Sequence, residues 1–397
     1  MTKITPGDGC AAAEGPAEHP EFLFRSGARC LRGQGLFTAI TTPAAGAGQG
    51  SGALLAEVDQ AFARARAAGI EQPVLMGAIP FDTHQPSCLY VPMRHRWVDG
   101  ETARVATRET EASRPTVVRQ RSVPDEAGFK AAVSQAIANF RSSPIRKAVL
   151  SRMLEVELDR PVDVDQVLAR LAAQNPHGYH FRIPLAEQGE LIGVSPELLV
   201  RKRGSRVYSN PLAGSAKRRA NPEEDKHTAN ALLDSEKDHY EHRLVIDEIR
   251  RVMSPECSTL RIPEQPSLLS TAAMWHLSTA IEGELRDPHR SSLQLACQLH
   301  PTPAVCGAPT DLARKLINLV EPFERGLFTG MVGWCDAAGN GEWVVTIRCG
   351  TVIDKCLRLF AGAGVVEASN PACEWAETQA KLGTMLAACG LNDEGQP

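Results

Sequence analysis

Strand-like runs follow one another in this chain with no helix between them, and that succession limits the fold more than any other feature. The runs at 178–184, 190–202 and 205–209 are consecutive, and so are those at 342–351 and 356–362. A doubly wound sheet needs strict strand–helix alternation, which is missing. The pattern predicts an α+β fold with large, mostly antiparallel sheets flanked by helices. Further strands are expected at 73–81 and 147–157. Helices are expected at 54–68, 125–140, 163–174, 224–253, 309–319 and 372–389. No internal repeat is visible.

Residues 1–20 are small, polar and rich in Gly and Pro, and are expected to be disordered. The stretch TTPAAGAGQGSG at 41–52 has the glycines of a phosphate loop but not its G-K-[ST] ending, and Ser51 breaks the G-x-G-x-x-G register. A flexible loop is the expectation there. A formal net charge of -4 is too mild to make nucleic acid or an anionic membrane the main partner. No apolar run reaches 18 residues and no positively charged leader precedes an apolar core. The expectation is a soluble, cytoplasmic protein. The 11 cysteines are an odd count without a C-x-x-C, which predicts free thiols.

Charge placed on apolar faces carries the functional signal. In the helix containing SEKDHYEHRLV, the inward stripe is Val245, Ile249 and Val252. Four residues before Val245 stands Glu241, and three before that Asp238, so both carboxylates share the apolar face. A buried carboxylate is costly unless paired or bound to a metal. The alternative is local: Ser235 and Asp238 as a capping box, with Glu241 favoured by the helix dipole. A second helix, CEWAETQAKLGTML, repeats the spacing with Glu374 and Glu377, followed by Lys381 four residues on. Two inward acidic pairs suit a hard divalent cation, with Mg²⁺ the natural candidate. Lys381 implies an anionic substrate, or else an ordinary i,i+4 salt bridge.

Three further segments suit anions. NPLAGSAKRR follows a strand and offers Gly214 and Ser215, with basic residues behind them. LFAGAGVV ends a strand in Gly362 and Gly364, where a ligand can approach the backbone closely. GEWVVTIRCG places Arg348 in alternation with Thr346 and Val344, pointing it inward for a carboxylate. Two more groups suit acid–base work. Lys147 heads an apolar strand and Glu197 sits inside another. A buried Lys can lose a proton and a buried Glu can keep one, unless the two form a structural ion pair. GVSPE is not a nucleophile elbow, because Glu197 stands where glycine is required.

The segments GAIPFD, KAVLSR, GVSPELL, NPLAGSA, EKDHYEH, LHPTPAVCG, FAGAGVV and EWAETQAKL together resemble the chorismate-utilising enzymes. Within them the chain is most similar to the isochorismate synthases of catechol-siderophore, enterobactin-type biosynthesis. The resemblance spans about 21–391. It implies one large domain with that family's fold, with 116–391 as its core catalytic part. It implies Mg²⁺ held by Glu241 and Glu377, with Asp238 and Glu374 acting through water. The metal and Gly214 and Ser215 are then expected to hold the ring carboxylate of chorismate. Arg348, Gly362 and Lys381 are expected to line the rest of the anion site, and His276 and Ala304 to shape the ring pocket. Lys147 is the expected base that activates water for attack at C2. Glu197 is the expected acid that protonates the departing C4 hydroxyl.

The relatives divide at single positions. Aminodeoxychorismate synthases carry a Lys where this chain has Ala213. Anthranilate synthases have Gln at the Lys147 position, Thr at the Ser215 position and an N-terminal tryptophan-binding segment. Salicylate synthases keep Lys147 and Glu197 and then also eliminate pyruvate, so they are the runner-up. The product is expected to feed 2,3-dihydroxybenzoate synthesis, with menaquinone as the alternative destination. The expected partner is the small molecule chorismate alone, with the chain a monomer. Cys306 is a departure from the family pattern, and a candidate oxidisable thiol near the site.

Overall fold

The computed structural model describes Lys3 and residues 21–50, 52–99, 115–185 and 189–391. The disorder expected for residues 1–20 therefore falls, Lys3 apart, outside the described residues. Strands are numbered β1–β20 and helices α1–α8 in chain order. Seventeen strands form one continuous sheet. From one edge it runs through β12 (Cys257–Arg261), β15 (Ile281–Leu285), β10 (Arg206–Asn210), β9 (Leu198–Arg203) and β18 (Gly341–Val345). It continues through β17 (Met331–Asp336), β3 (Val74–Ile79), β4 (Cys88–Asp99), β2 (Arg29–Ile40) and β1 (Glu21–Ser26). Then come β7 (Tyr179–Pro184), β8 (Glu190–Ser195), β19 (Cys349–Ile353), β20 (Cys356–Val365) and β6 (Lys147–Leu158). β5 (Val117–Val123) and the two-residue β16 (Gly307–Ala308) share the far edge of β6. A separate sheet holds β11 (Leu212–Lys217), β14 (Met274–Ser278) and β13 (Ser267–Ser270). Every pairing in this walk is antiparallel, as the succession of strand runs predicts.

The long sheet folds back on itself. Phe22, Phe181, Leu191 and Phe360 from one half meet Met76, Val332 and Val344 from the other in a shared apolar layer. Truncating a wholly buried phenylalanine such as Phe22 or Phe181 to Ala would cost roughly 3–5 kcal/mol. Helices cover the outer faces. α1 (Ala53–Ala67), α5 (Glu236–Met253) and α6 (Ser292–Leu299) pack over the first half, and α3 (Val164–Gln174) and α8 (Pro371–Ala388) over the second. α2 (Glu126–Phe140) and α7 (Thr310–Val320) pack beside β6, and α4 (Pro222–Leu233) lies against the small sheet.

Several expected elements differ in ways that matter for the site. The run 190–202 is two strands, interrupted at Pro196 and Glu197. The run 342–351 is also two, interrupted over 346–348, with Arg348 at φ 49. The helix expected over 224–253 is two, because Ser235 caps a new one by accepting from the Asp238 N–H at 3.2 Å. NPLAGSA lies mostly in strand β11 rather than in a loop. Residues 41–50 of the glycine-rich stretch are packed, not a free loop: Ala44 and Ala47 are buried, and a Cβ on Gly48 would lie 2.7 Å from Gln298 Cα. Among the described residues nine cysteines are free thiols as expected, but Cys356 is disulfide-bonded. No described helix is long and apolar enough to cross a membrane.

Candidate active site

Where strands are interrupted, backbone and side chains turn toward one cavity. Its walls include Glu197, Gly214, Ser215 and His276 from β8–β9, β11 and β14. Arg348 and Gly362 come from the β18–β19 break and β20, and Ala304 from the segment before β16. Glu241, Glu377 and Lys381 are supplied by α5 and α8. The glycines are there because of space and backbone angle. Gly214 has φ +81, and a Cβ on it would stand 3.0 Å from Asp238 Cβ. A Cβ on Gly364 would collide with the Glu241 carboxylate.

On the helical side, each of three glutamates faces a lysine. Lys147, wholly buried, places Nζ 2.9 Å from Glu241 Oε1. The contact is an ion pair without hydrogen-bond alignment, since that nitrogen has no hydrogen-bond partner. Lys237 donates to Glu374 at 2.8 Å, and Lys381 lies 2.5 Å from Glu377. Ser215 also donates to Glu377 at 2.9 Å, and Lys381 donates to the Gly362 carbonyl at 2.8 Å. Burial opposes the charge of Glu377, but Lys381 and the Ser215 hydroxyl outweigh it and hold its carboxyl below the ordinary value. Burial, and then the charge of Glu377, push Glu374 up to about 7 despite Lys237. Burial also raises Asp238, aided by the charges of Glu241 and Glu377 and opposed by the Ser235 hydroxyl.

The strand side is different. Glu197 is 3% exposed. Burial pushes its carboxyl up to about 7, against a backbone N–H from Leu212 and the charges of Lys147, Arg348 and Lys381. Burial lowers Arg348 to about 10, and its Nη2 lies 3.4 Å from His276 Nε2. Burial, with Arg348 and Lys381, holds His276 well below its ordinary value. The neutral ring is therefore the acceptor of that guanidinium N–H. His242 is buried and lowered to about 4. Its Nδ1 lies 3.1 Å from the Ala213 carbonyl and its Nε2 2.7 Å from Thr279 Oγ1. It therefore fixes the backbone just before Gly214.

The structure brings together every residue the sequence singled out. Lys147, Asp238 and Glu374 stand behind the cavity wall, joined to it through Glu241, Gly214 and Glu377. Both readings of Ser235 and Asp238 hold: the pair caps α5, and Asp238 still feels the other carboxylates. Three details are corrected. Lys147 pairs with Glu241, not Glu197. Arg348 points inward through a left-handed kink, not strand alternation. Cys306 is buried and donates to Thr310 O, and burial pushes its thiol up to about 12, so it is no oxidisable thiol. Sequence reasoning missed the aliphatic wall of Val149, Val305 and Ile347, which reads as ordinary core. It also missed Lys237, whose neighbours made it look solvated. The inward position of Glu374 was the available signal for it. Among the described residues, no group of three or more Asp, Glu, His or Cys is gathered closely enough to hold a metal alone.

Residues 90–390 match the family described as chorismate binding enzyme. The chain is 43% identical to isochorismate synthase EntC of Escherichia coli K12, over 94% of this chain and 95% of that protein. It is 46% identical to isochorismate synthase DhbC of Bacillus subtilis, over 85% of this chain and 86% of that protein. Among solved structures, 2,3-dihydroxybenzoate-specific isochorismate synthase DhbC of Bacillus anthracis superposes with a TM-score of 0.86 at 42% identity, covering 94% of this chain and 96% of that one. The chain belongs to the chorismate-binding enzymes, whose fold and ordered motifs it carries along nearly its whole length.

Proposed function

We propose that this protein is an isochorismate synthase of the siderophore type, an isomerase that converts chorismate to isochorismate. The observation that carries this reading is one cavity in which the buried carboxyl of Glu197 sits at about 7, within the field of wholly buried Lys147. A base and an acid on opposite sides of a ring are what the exchange of one hydroxyl for another requires. Acting as the neutral amine, Lys147 takes a proton from water as the water oxygen bonds to C2. The two ring double bonds each shift by one position, the C4–O bond breaks, and Glu197 gives its proton to the departing hydroxyl. One water enters and one leaves, so the product is an isomer. Arg348 and Lys381 face the substrate's carboxylates, and His276 and Ala304 bound the ring. Gly214 and Ser215 offer the ring carboxylate a side-chain-free approach and a hydroxyl.

Mg²⁺ is the cofactor of this reading. Glu241 and Glu377 would hold it, with Asp238 and Glu374 reaching it through water. The donors fit: all are hard oxygens, and Asp238 is raised partly by the charges of Glu241 and Glu377, and Glu374 partly by that of Glu377. Two direct carboxylates plus water and substrate oxygens is the usual Mg²⁺ arrangement. When bound, the ion supplies positive charge for a substrate carboxylate. The test is to incubate purified protein with chorismate and Mg²⁺, with and without ammonium, and identify products by mass. Isochorismate alone is the expected result. Salicylate with pyruvate, or an aminated product, would assign another reaction.

A further inference from the structure

Behind the catalytic wall lies a second buried ion pair, between Arg325 and Glu321, which are 6% and 5% exposed. An arginine has five N–H donors in a rigid fork, and here all five are engaged. Nε and one Nη2 hydrogen go to the two carboxylate oxygens of Glu321, at 2.8 and 2.6 Å. The other Nη2 hydrogen goes to the Val149 carbonyl at 2.7 Å. The Nη1 pair goes to the Val305 carbonyl at 2.8 Å and to Thr329 Oγ1 at 3.2 Å. Phe81 closes the last face, its ring centre 4.5 Å from the guanidinium carbon.

The acceptors show what this fork is for. Val149, Val305 and Thr329 all line the catalytic cavity, yet they come from three separate segments. Val149 follows Lys147 by two residues on β6, so the two share a face of that strand. Val305 adjoins Ala304. Thr329 sits at φ 58, a left-handed angle that a β-branched residue keeps only where its surroundings force it. Glu321 extends the grip by accepting the Ser151 N–H at 2.8 Å, two residues further along β6. A Cβ on Gly362 would lie 2.7 Å from the Ser151 hydroxyl, so this grip also sets the strand opposite Lys381.

We propose that Arg325, held by Glu321, is a positioning residue that sets the Lys147 strand at its working distance from the ring-facing wall. The inference rests on the isomerase reading above. A buried ion pair by itself is weak support for stability, because apolar residues of similar volume often replace one at no cost. Misplacing a base by about 1 Å can cost on the order of 100-fold in rate. The two roles therefore separate in experiment.

The test measures kcat, KM and melting temperature for wild type, Arg325→Lys, and the double variant Glu321→Leu with Arg325→Met. Arg325→Lys keeps the charge but cannot span the Val149 and Val305 carbonyls. We expect its kcat to fall about 10-fold and that of the double variant about 100-fold, with KM within about threefold and the protein folded at the assay temperature. A folded double variant with kcat within about twofold of wild type would overturn the proposal. If neither variant folds, Thr329→Val decides, since it leaves the ion pair intact: a lower kcat at unchanged melting temperature supports the role, and an unchanged kcat overturns it. Wild-type turnover is the control. Its absence counts against the assigned reaction, whereas a loss confined to the variants belongs to the fork.

Discussion

The two sides of the cavity surround their buried carboxylates differently, and the contrast is sharpest between Glu377, held below its ordinary value, and Glu197, pushed above it. On the helices, Glu241, Glu374 and Glu377 each meet a lysine, and the Ser215 hydroxyl also reaches Glu377. On the strands, Glu197 has cations only at a distance, and burial raises it to about 7. The same residue type is thus set for two tasks. On the proposed reading, Glu377 keeps its charge to hold a cation and Glu197 keeps a proton to give away. Environment, not identity, separates them.

The largest effects should come from the proton-transfer pair. Lys147→Ala should lower kcat by about 10³–10⁴-fold while the protein still folds, measured by steady-state isochorismate formation and circular dichroism. Near wild-type turnover would remove Lys147 from the chemistry. Glu197→Gln should lower kcat by about 10²–10⁴-fold and abolish a falling limb of the pH profile near pH 7. The sign follows from the raised value: the carboxyl is protonated below about 7 and loses its proton above it. The same shift predicts a stability difference. The proton on Glu197 contributes fully below its ordinary value of 4.5 and is lost as pH rises through about 7. Wild type should therefore lose melting temperature relative to Glu197→Gln between those limits, and parallel curves would contradict the assignment.

The helical side should respond through the metal. Glu377→Gln should raise the Mg²⁺ concentration needed for half-maximal rate by about 10–100-fold, read by titrating the metal against rate. An unchanged titration would take Glu377 off the ligand set and erase the contrast with Glu197. Ser215→Ala should cost less, about three- to tenfold in kcat/KM, since one hydrogen bond to Glu377 is lost. The smallest effect is at Cys306, whose buried thiol should stay unmodified by a thiol reagent in the folded protein, with activity unchanged. Labelling of Cys306 before unfolding would show the wall more open than it is drawn.

What could be read in advance depended on spacing along one element. Asp238 and Glu241, like Glu374 and Glu377, reveal their direction because the helical period ties them to apolar neighbours. Lys147 and Glu197 stand out because charge inside a strand run is unusual. Strands such as β2 (RCLRGQGLFTAI) and β4 (CLYVPMRHRWVD) were not legible, because charges break their apolar alternation. Arg325 was invisible for another reason: its i,i+4 pairing with Glu321 reads as an ordinary surface salt bridge, and no local pattern links a guanidinium to the distant carbonyls of Val149 and Val305.

The amino-acid sequence alone determined the antiparallel α+β architecture, the family and which charged residues turn inward toward one cavity. Local periodicity and long ordered motifs survive without coordinates. Only the tertiary structure decided which lysine faces which glutamate, that Glu197 and not Glu377 holds its proton near neutral pH, and that Arg325 binds three walls together. Those outcomes depend on burial and on distances of a few ångströms between segments far apart in the chain, and charge interactions in a poorly solvated site are sensitive to both.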